Sequence, residues 1–160
     1  MIEITICGKS DLKEILPSKK FDAIISINDP DKGHKWALYK RDKWRAWLKE
    51  YAENVLCLYF HDATEDSRAL NKPLRLPLKF HIQQIVDFCK NIQDKQSILI
   101  HCLMGVSRST AIGIIVLMEL SKMTEDEARR HVTYVRPCAC PNPYMLTLYK
   151  EIKHAPLLPV

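Results

Sequence analysis

The sequence predicts an α/β fold: a mostly parallel central sheet of four to five strands with helices on both faces. Two observations carry that expectation. Short β-branched runs alternate with segments of helical periodicity along the chain, the order from which parallel sheets are built. Two of those runs, Phe21–Asn28 and Ser97–Ile100, are apolar almost throughout, as strands are when both faces of their sheet are covered.

In chain order, Ile2–Cys7 alternates and is β-branched, and reads as the first strand. Asp11–Leu16 is a short helix closed by Pro17. Phe21–Asn28 is the second strand, broken by Asp29-Pro30-Asp31. Trp36–Ala52 carries Trp44, Trp47, Leu48 and Tyr51 at helical spacings, the pattern of a core-facing helix. Asn54–Phe60 is the third strand. The polar stretch that follows runs to Pro77 without internal periodicity, and long ordered loops of that kind are often functional. Phe80, Ile82, Ile85, Val86, Phe88 and Cys89 mark the next helix, ending near Ile92. Ser97–Ile100 is a short apolar strand. Thr110–Leu120 is an apolar helix with the small residues Ala111 and Gly113 near its start. Thr124 and Glu127 have capping-box spacing and open a helix to about Val135. Pro137, Pro141 and Pro143 punctuate a loop, and Tyr144–His154 is the last helix.

With 160 residues and no visible linker or repeat, residues 1–160 are expected to form one domain. The net charge of +5 suits an anionic substrate, but no basic stripe is interleaved with aromatics, so no nucleic acid partner is expected. The first residues lack the pattern of a signal peptide. The longest apolar run, Ala111–Met118, is far short of the ~20 residues that span a bilayer. A soluble, cytoplasmic protein with its six cysteines reduced is therefore the expectation. Oligomeric state is not legible.

The chemistry is concentrated in His101-Cys102-Leu103-Met104-Gly105-Val106-Ser107-Arg108-Ser109. A buried strand runs into this segment and a helix leaves it near Ser109. Ligands of open α/β sheets bind at such strand-to-helix turns, and a helix N-terminus offers unpaired N–H groups to an anion. Gly105 lets the loop curl with its amides inward. A thiol at Cys102 then faces several N–H dipoles and the Arg108 guanidinium. Both lower its pKa from about 8.5 and favour the thiolate. Phosphate is the guest such a cradle suits, and an arginine can grip two of its oxygens at once.

The segment resembles the signature of the protein tyrosine phosphatase superfamily: His-Cys, five residues, Arg, then Ser or Thr. Its wording is closest to the small dual-specificity phosphatases and their compact bacterial relatives. Val135–Met145, VRPCACPNPYM, is similar to the VRP…PN segment of those domains. The likeness covers roughly residues 54 to 150 and implies the cysteine-phosphatase fold. It also implies metal-independent hydrolysis of phosphomonoesters through a phosphocysteine, on phosphorylated proteins, with no cofactor and no metal.

By that resemblance Cys102 is the nucleophile, and Arg108 with Leu103, Met104, Gly105, Val106 and Ser107 binds the phosphoryl group. Ser109 hydrogen-bonds the sulfur and helps it leave, although its position also suits a plain N-cap. His101 orders the loop. Asn142 buttresses it, although an Asn between two prolines could simply make a turn. The proton donor is an aspartate on a loop after an earlier strand. Asp62 stands in that place, with Asp66 and Glu65 as rivals. Lys72 and Arg75 read as solvated charge that could steer a substrate, and His81 as an N-terminal surface residue of its helix. Cys138 and Cys140 are candidate oxidation partners of Cys102.

Three rival readings remain. A phosphoinositide or RNA 5′-phosphatase on the same fold is disfavoured because the five loop residues LMGVS are uncharged. A non-catalytic phosphate-binding module is disfavoured because nucleophile, arginine and acid candidates are all present. Rhodanese-like and arsenate-reductase readings fit neither the loop length nor the late cysteine.

Overall fold

The computed structural model describes residues 2–30, 37–65, 67 and 74–154. Trp36, Asp66 and Lys72 lie outside them. The elements are β1 (Glu3–Gly8), α1 (Leu12–Ser18), β2 (Ala23–Asn28), α2 (Ala37–Lys49), β3 (Asn54–Tyr59), α3 (Lys79–Asn91), β4 (Ser97–Cys102), α4 (Arg108–Leu120), α5 (Glu125–Val135) and α6 (Pro143–Lys153).

The described strands form one four-stranded sheet in the order β1-β4-β2-β3, and every pairing is parallel. All four strands therefore end at the same edge, where Gly8 lies opposite Cys102, His101 opposite Ser26, and Asn28 opposite Tyr59. That edge is where ligands of parallel sheets bind.

Helices cover both faces, as expected. α1 and α2 pack Leu12, Leu16 and Leu48 against Ile24, Val55 and Leu99. α3 to α6 pack Ile82, Ile85, Ile115, Val132 and Leu146 against Ile25, Ile98 and Ile100 on the other face. α4 is buried from Arg108 to Leu117, and beyond its polar first turn those residues are apolar or glycine, so it is a core helix. Each fully buried Ile or Leu contributes about 1.5–3 kcal/mol relative to exposure. Apolar packing thus anchors the helix whose first turn opens at the sheet edge. No helix of the described residues is long and apolar enough to cross a membrane.

Several boundaries shift by one to three residues from expectation, and three of the shifts have a clear local reason. β4 runs two residues past Ile100, because His101 and Cys102 find backbone partners in Cys7 and Gly8. α1 passes through Pro17 to Ser18 before the chain turns extended at Lys19, so the proline costs only a bond in a final turn. α6 begins at Pro143, whose missing N–H costs nothing at a first helical position.

Candidate active site

Cys102 ends β4 and Arg108 opens α4; the five residues between them form a tight loop against the end of β1. Gly105 has φ +70°, and a Cβ there would lie 2.4 Å from the carbonyl carbon of Cys7. Only glycine fits both the conformation and the approach.

The loop is best understood by asking where its carbonyls go. Leu103 O accepts from Lys9 N at 3.0 Å. Met104 O and Gly105 O accept from Arg136 Nη2 at 3.2 Å and Nε at 3.0 Å. Val106 O accepts from Cys140 N at 2.9 Å, and Ser107 O from Ala111 N at 3.0 Å. Thr110 Oγ1 bridges Val106 O and Ser107 O, at 2.5 and 2.9 Å. Every carbonyl from Leu103 to Ser107 is thus held from outside. The amides are left to the inside: Gly105 N–H donates to Cys102 Sγ at 3.2 Å, and those of Met104, Val106, Ser107 and Arg108 have no acceptor among the described residues.

Cys102 is 2% exposed, and Ser109 Oγ lies 3.2 Å from its sulfur. Burial pushes this thiol up. The Ser109 hydroxyl and amide, the Gly105 amide and the Arg108 charge together outweigh it, and the thiol is held below its usual value. Cys7 and Cys89, buried as deeply, are pushed up to about 12.

Arg108 is 3% exposed. Its Nη1 donates to Asp29 Oδ1 and to Phe60 O, both at 2.7 Å, which fixes one edge of the guanidinium. Its Nε is buried with no hydrogen-bond partner among the described residues. Leaving a donor so costs about 1–3 kcal/mol, and an anion in the loop would supply the missing acceptor.

His101 is fully buried beneath the loop. Its Nε2 lies 2.8 Å from Ser26 Oγ, which already accepts from Trp44 Nε1 and Asn28 Nδ2, both at 2.9 Å. The Ser26 proton therefore points at Nε2, and the imidazole proton sits on Nδ1, 3.4 Å from Cys102 O. Burial, with help from Lys9 and Arg108, pushes His101 down to about 4, so it is neutral at ordinary pH.

Asp62 follows β3 on an exposed stretch, and its Oδ1 accepts from Ser107 Oγ and Asn142 Nδ2, both at 2.8 Å. A loop residue and the PN segment thus meet on one carboxylate. Asn142 does more than turn the chain. It caps α6, accepting from Tyr144 N and Met145 N, and donates to Ala63 O. Ser109 is not the N-cap of α4 that its position also suited. It stands second in the helix, and the cap position belongs to Ser107. Glu65 is exposed and Asp66 lies outside the described residues. His81 is half-buried rather than on the surface: its Nδ1 accepts from Leu78 N, and its ring packs on Phe60. Arg75 exchanges two hydrogen bonds with His61 at the base of the loop. Cys138 and Cys140 are exposed free thiols, the latter beside the loop through its amide.

Sequence reasoning missed Asp29, Ser26 and Arg136. Asp29 reads as a strand breaker and Ser26 as one polar residue in an apolar strand. Arg136 lay inside a quoted motif without a role.

Among known proteins, the chain is 38% identical over 66 residues to Dual specificity protein phosphatase 1 of Arabidopsis thaliana, covering 41% of this chain and 33% of that one. It is 45% identical over 49 residues to Protein phosphatase Slingshot homolog 3 of Homo sapiens, covering 31% and 7%. The matches span a third or less of these relatives' length. The structure of DUSP15 is similar with TM-score 0.62 and 21% identity, over 97% of this chain and 85% of that one. That of Tk-PTP in the active form has TM-score 0.60 and 21% identity, over 96% and 92%. Both show the shared fold. The family model described as dual specificity phosphatase, catalytic domain, matches residues 6–153. The chain belongs to the dual specificity phosphatase catalytic domain family.

Proposed function

We propose that this chain is a metal-independent phosphomonoester hydrolase acting on phosphorylated proteins, with phosphotyrosine its first substrate and phosphoserine or phosphothreonine admitted by a shallow site. One observation carries this reading: the buried Cys102 sulfur faces the Gly105 amide and the Ser109 hydroxyl, the Arg108 charge helps hold its pKa down, and Arg108 Nε is buried with no partner among the described residues. The shallow site is supported by Leu103 and Met104, apolar loop residues that are 50% and 69% exposed.

In this mechanism the inward amides and Arg108 receive the phosphoryl oxygens. The Cys102 thiolate attacks phosphorus and the P–O ester bond breaks. Asp62 protonates the departing oxygen. Water then attacks the phosphocysteine, Asp62 takes its proton, and the P–S bond breaks, with the Ser109 hydroxyl donating to the leaving sulfur. His101 holds the loop from below and Asn142 holds the acid. The whole chain works as one catalytic domain, and its free thiols suit a reducing compartment such as the cytoplasm.

The test is release of phosphate from an aryl phosphate with chelator present, blocked by vanadate. Cys102→Ser should abolish turnover while still binding the oxyanion. Asp62→Asn, which can keep both hydrogen bonds, should slow esters with poor leaving groups by about 10²–10⁴-fold and activated aryl esters far less. Undiminished turnover by Cys102→Ser sinks the mechanism. If Asp66→Asn does the damage instead, the acid assignment fails.

A further inference from the structure

Successive side chains of β4 point to opposite faces of the sheet, so His101 and Cys102 part company at its end. Cys102 packs with Ile25, Ile98 and Ile100 on the side of α3 to α6. His101 points the other way, toward α2, where it meets Ser26, its partner in register on β2. Trp44 of α2 closes over both. Its indole Nε1–H donates to Ser26 Oγ at 2.9 Å, and its ring stands edge to face with the imidazole, centroids 5.9 Å apart. Lys9 Nζ lies 4.4 Å over the same indole, and Lys9 N–H holds Leu103 O in the loop.

A serine hydroxyl has one proton and two lone pairs. Trp44 Nε1–H and Asn28 Nδ2–H fill both lone pairs of Ser26. The hydroxyl then has no lone pair left for a protonated Nε2, and the Nε2–H tautomer of His101 is excluded. Cys57, opposite Ser26 on β3, is the other group in reach of that hydroxyl. Burial pushes its thiol up, so it stays neutral, and sulfur is a weak acceptor beside an imidazole nitrogen at 2.8 Å. The tautomer that remains carries its proton on Nδ1, 3.4 Å from Cys102 O. That proton meets the carbonyl of the peptide plane from which the catalytic loop departs. In the other tautomer a lone pair would face the carbonyl instead. Without the Trp44 donor one Ser26 lone pair is free, and the wrong tautomer gains an acceptor. We infer that Trp44 is a positioning residue: through Ser26 it holds the His101 imidazole in the tautomer that ties down the Cys102 carbonyl, so the packing of α2 on the sheet sets the geometry of the catalytic loop. The inference rests on the phosphatase reading above only for its effect on turnover.

The experiment is a double-mutant cycle on the full chain, read by nitrogen-15 spectra of the imidazoles, by alkylation of Cys102 across pH and by turnover of an aryl phosphate. In wild type the His101 ring should show Nδ1 protonated and Nε2 bare. In Trp44→Phe, which keeps an aromatic ring against the sheet, both nitrogens should shift toward a mixture of the two tautomers. The alkylation midpoint of Cys102 should move to higher pH, because a loop held less firmly stabilises the thiolate less. Turnover should fall about three- to tenfold in kcat, the worth of one net hydrogen bond. In a Ser26→Ala background, adding Trp44→Phe should leave all three readouts where Ser26→Ala alone puts them. Additive effects would mean that Trp44 acts by packing alone, and overturn the inference. So would an Nε2–H tautomer in wild type, or a Trp44→Phe protein whose spectrum and alkylation midpoint match wild type. If Trp44→Phe loses its fold, the indole Nε1–H signal of Trp44 decides. Ser26→Ala should shift that signal and speed its exchange with solvent, and an unmoved signal denies the bond. The spectra and the alkylation need no turnover. If wild type cleaves no ester while tautomer and alkylation respond as stated, the phosphatase reading fails and the positioning of the loop stands.

Discussion

β1 and β4 are neighbouring parallel strands that each carry a cysteine at their ends, and the two thiols are opposites. Cys7 lies opposite His101 and Cys102 opposite Gly8, and each cysteine is 2% exposed. Burial, then the nearby Asp11 carboxylate, pushes Cys7 up to about 12. Cys102 suffers the same burial and is nevertheless held low. What differs is the fate of the amides that follow. After Cys7, Gly8 N–H is used by Asp11 Oδ2 at 2.9 Å and Lys9 N–H by Leu103 O. After Cys102, the loop's carbonyls are held from outside, while the Gly105 amide donates to the Cys102 sulfur and those of Met104, Val106, Ser107 and Arg108 have no acceptor among the described residues. A buried thiol is inert by default. It is held below its usual value where the next turn leaves donors to face it.

The largest effect expected from this contrast is in alkylation. A thiol titrating near 12 is thiolate in only ~10⁻⁵ of molecules at pH 7, and the thiolate is the reacting species. In the folded protein Cys102 should react with iodoacetamide more than about a thousandfold faster than Cys7, read site by site by peptide mass mapping. Comparable rates at the two cysteines would remove the contrast altogether.

Next in size is Ser109→Ala, which deletes the hydroxyl at 3.2 Å from the sulfur. A hydrogen bond to a charged group is worth about 1.5–3 kcal/mol, so kcat should fall about 10- to 100-fold. The sign of the pH effect follows from which form the hydroxyl favours. It stabilises the thiolate, so its loss raises the thiol's pKa and moves the acid limb of kcat/KM to higher pH. The midpoint of the alkylation profile should move the same way. An unmoved acid limb would mean that Ser109 only packs the helix.

The same contrast explains how much was legible in the sequence. Cys102, Arg108 and Ser109 lie within eight positions of one another, and a strand-to-helix turn fixes them locally, so contiguous residue types announce the site. The parallel sheet was legible for the same reason, since apolar runs such as Phe21–Asn28 carry their own signal. The extension of β4 to Cys102 was not, because it depends on β1 offering a partner. Asp62 could be placed only by its position after a strand. What singles it out in space is a pair of hydrogen bonds from Ser107 and Asn142, 45 and 80 residues away in the chain. Ser26 and Asp29 gave no signal of a role, because a lone serine within a strand and an aspartate in a strand-breaking turn have no further pattern until the fold brings His101 and Arg108 beside them.

Arg136 gives the smallest expected effect and the sharpest form of the comparison, because it touches the outside of the loop only. Its Nε and Nη2 donate to the carbonyls of Gly105 and Met104, the fork geometry that lysine cannot reproduce. Those two bonds help decide which way the intervening peptides face. Arg136→Met should let the peptides relax, so that the amides meet a bound oxyanion less squarely. Vanadate affinity and kcat should each fall about three- to tenfold, the range for one or two partly exposed hydrogen bonds. Arg136→Lys should recover part of the loss and no more. The Ser109 hydroxyl and Arg108 remain in place, so the alkylation profile of Cys102 should move far less than in Ser109→Ala. If Arg136→Met instead leaves vanadate binding intact, the loop holds its inward amides without outside help. Gly105 and the close approach of β1 would then be what separates Cys102 from Cys7.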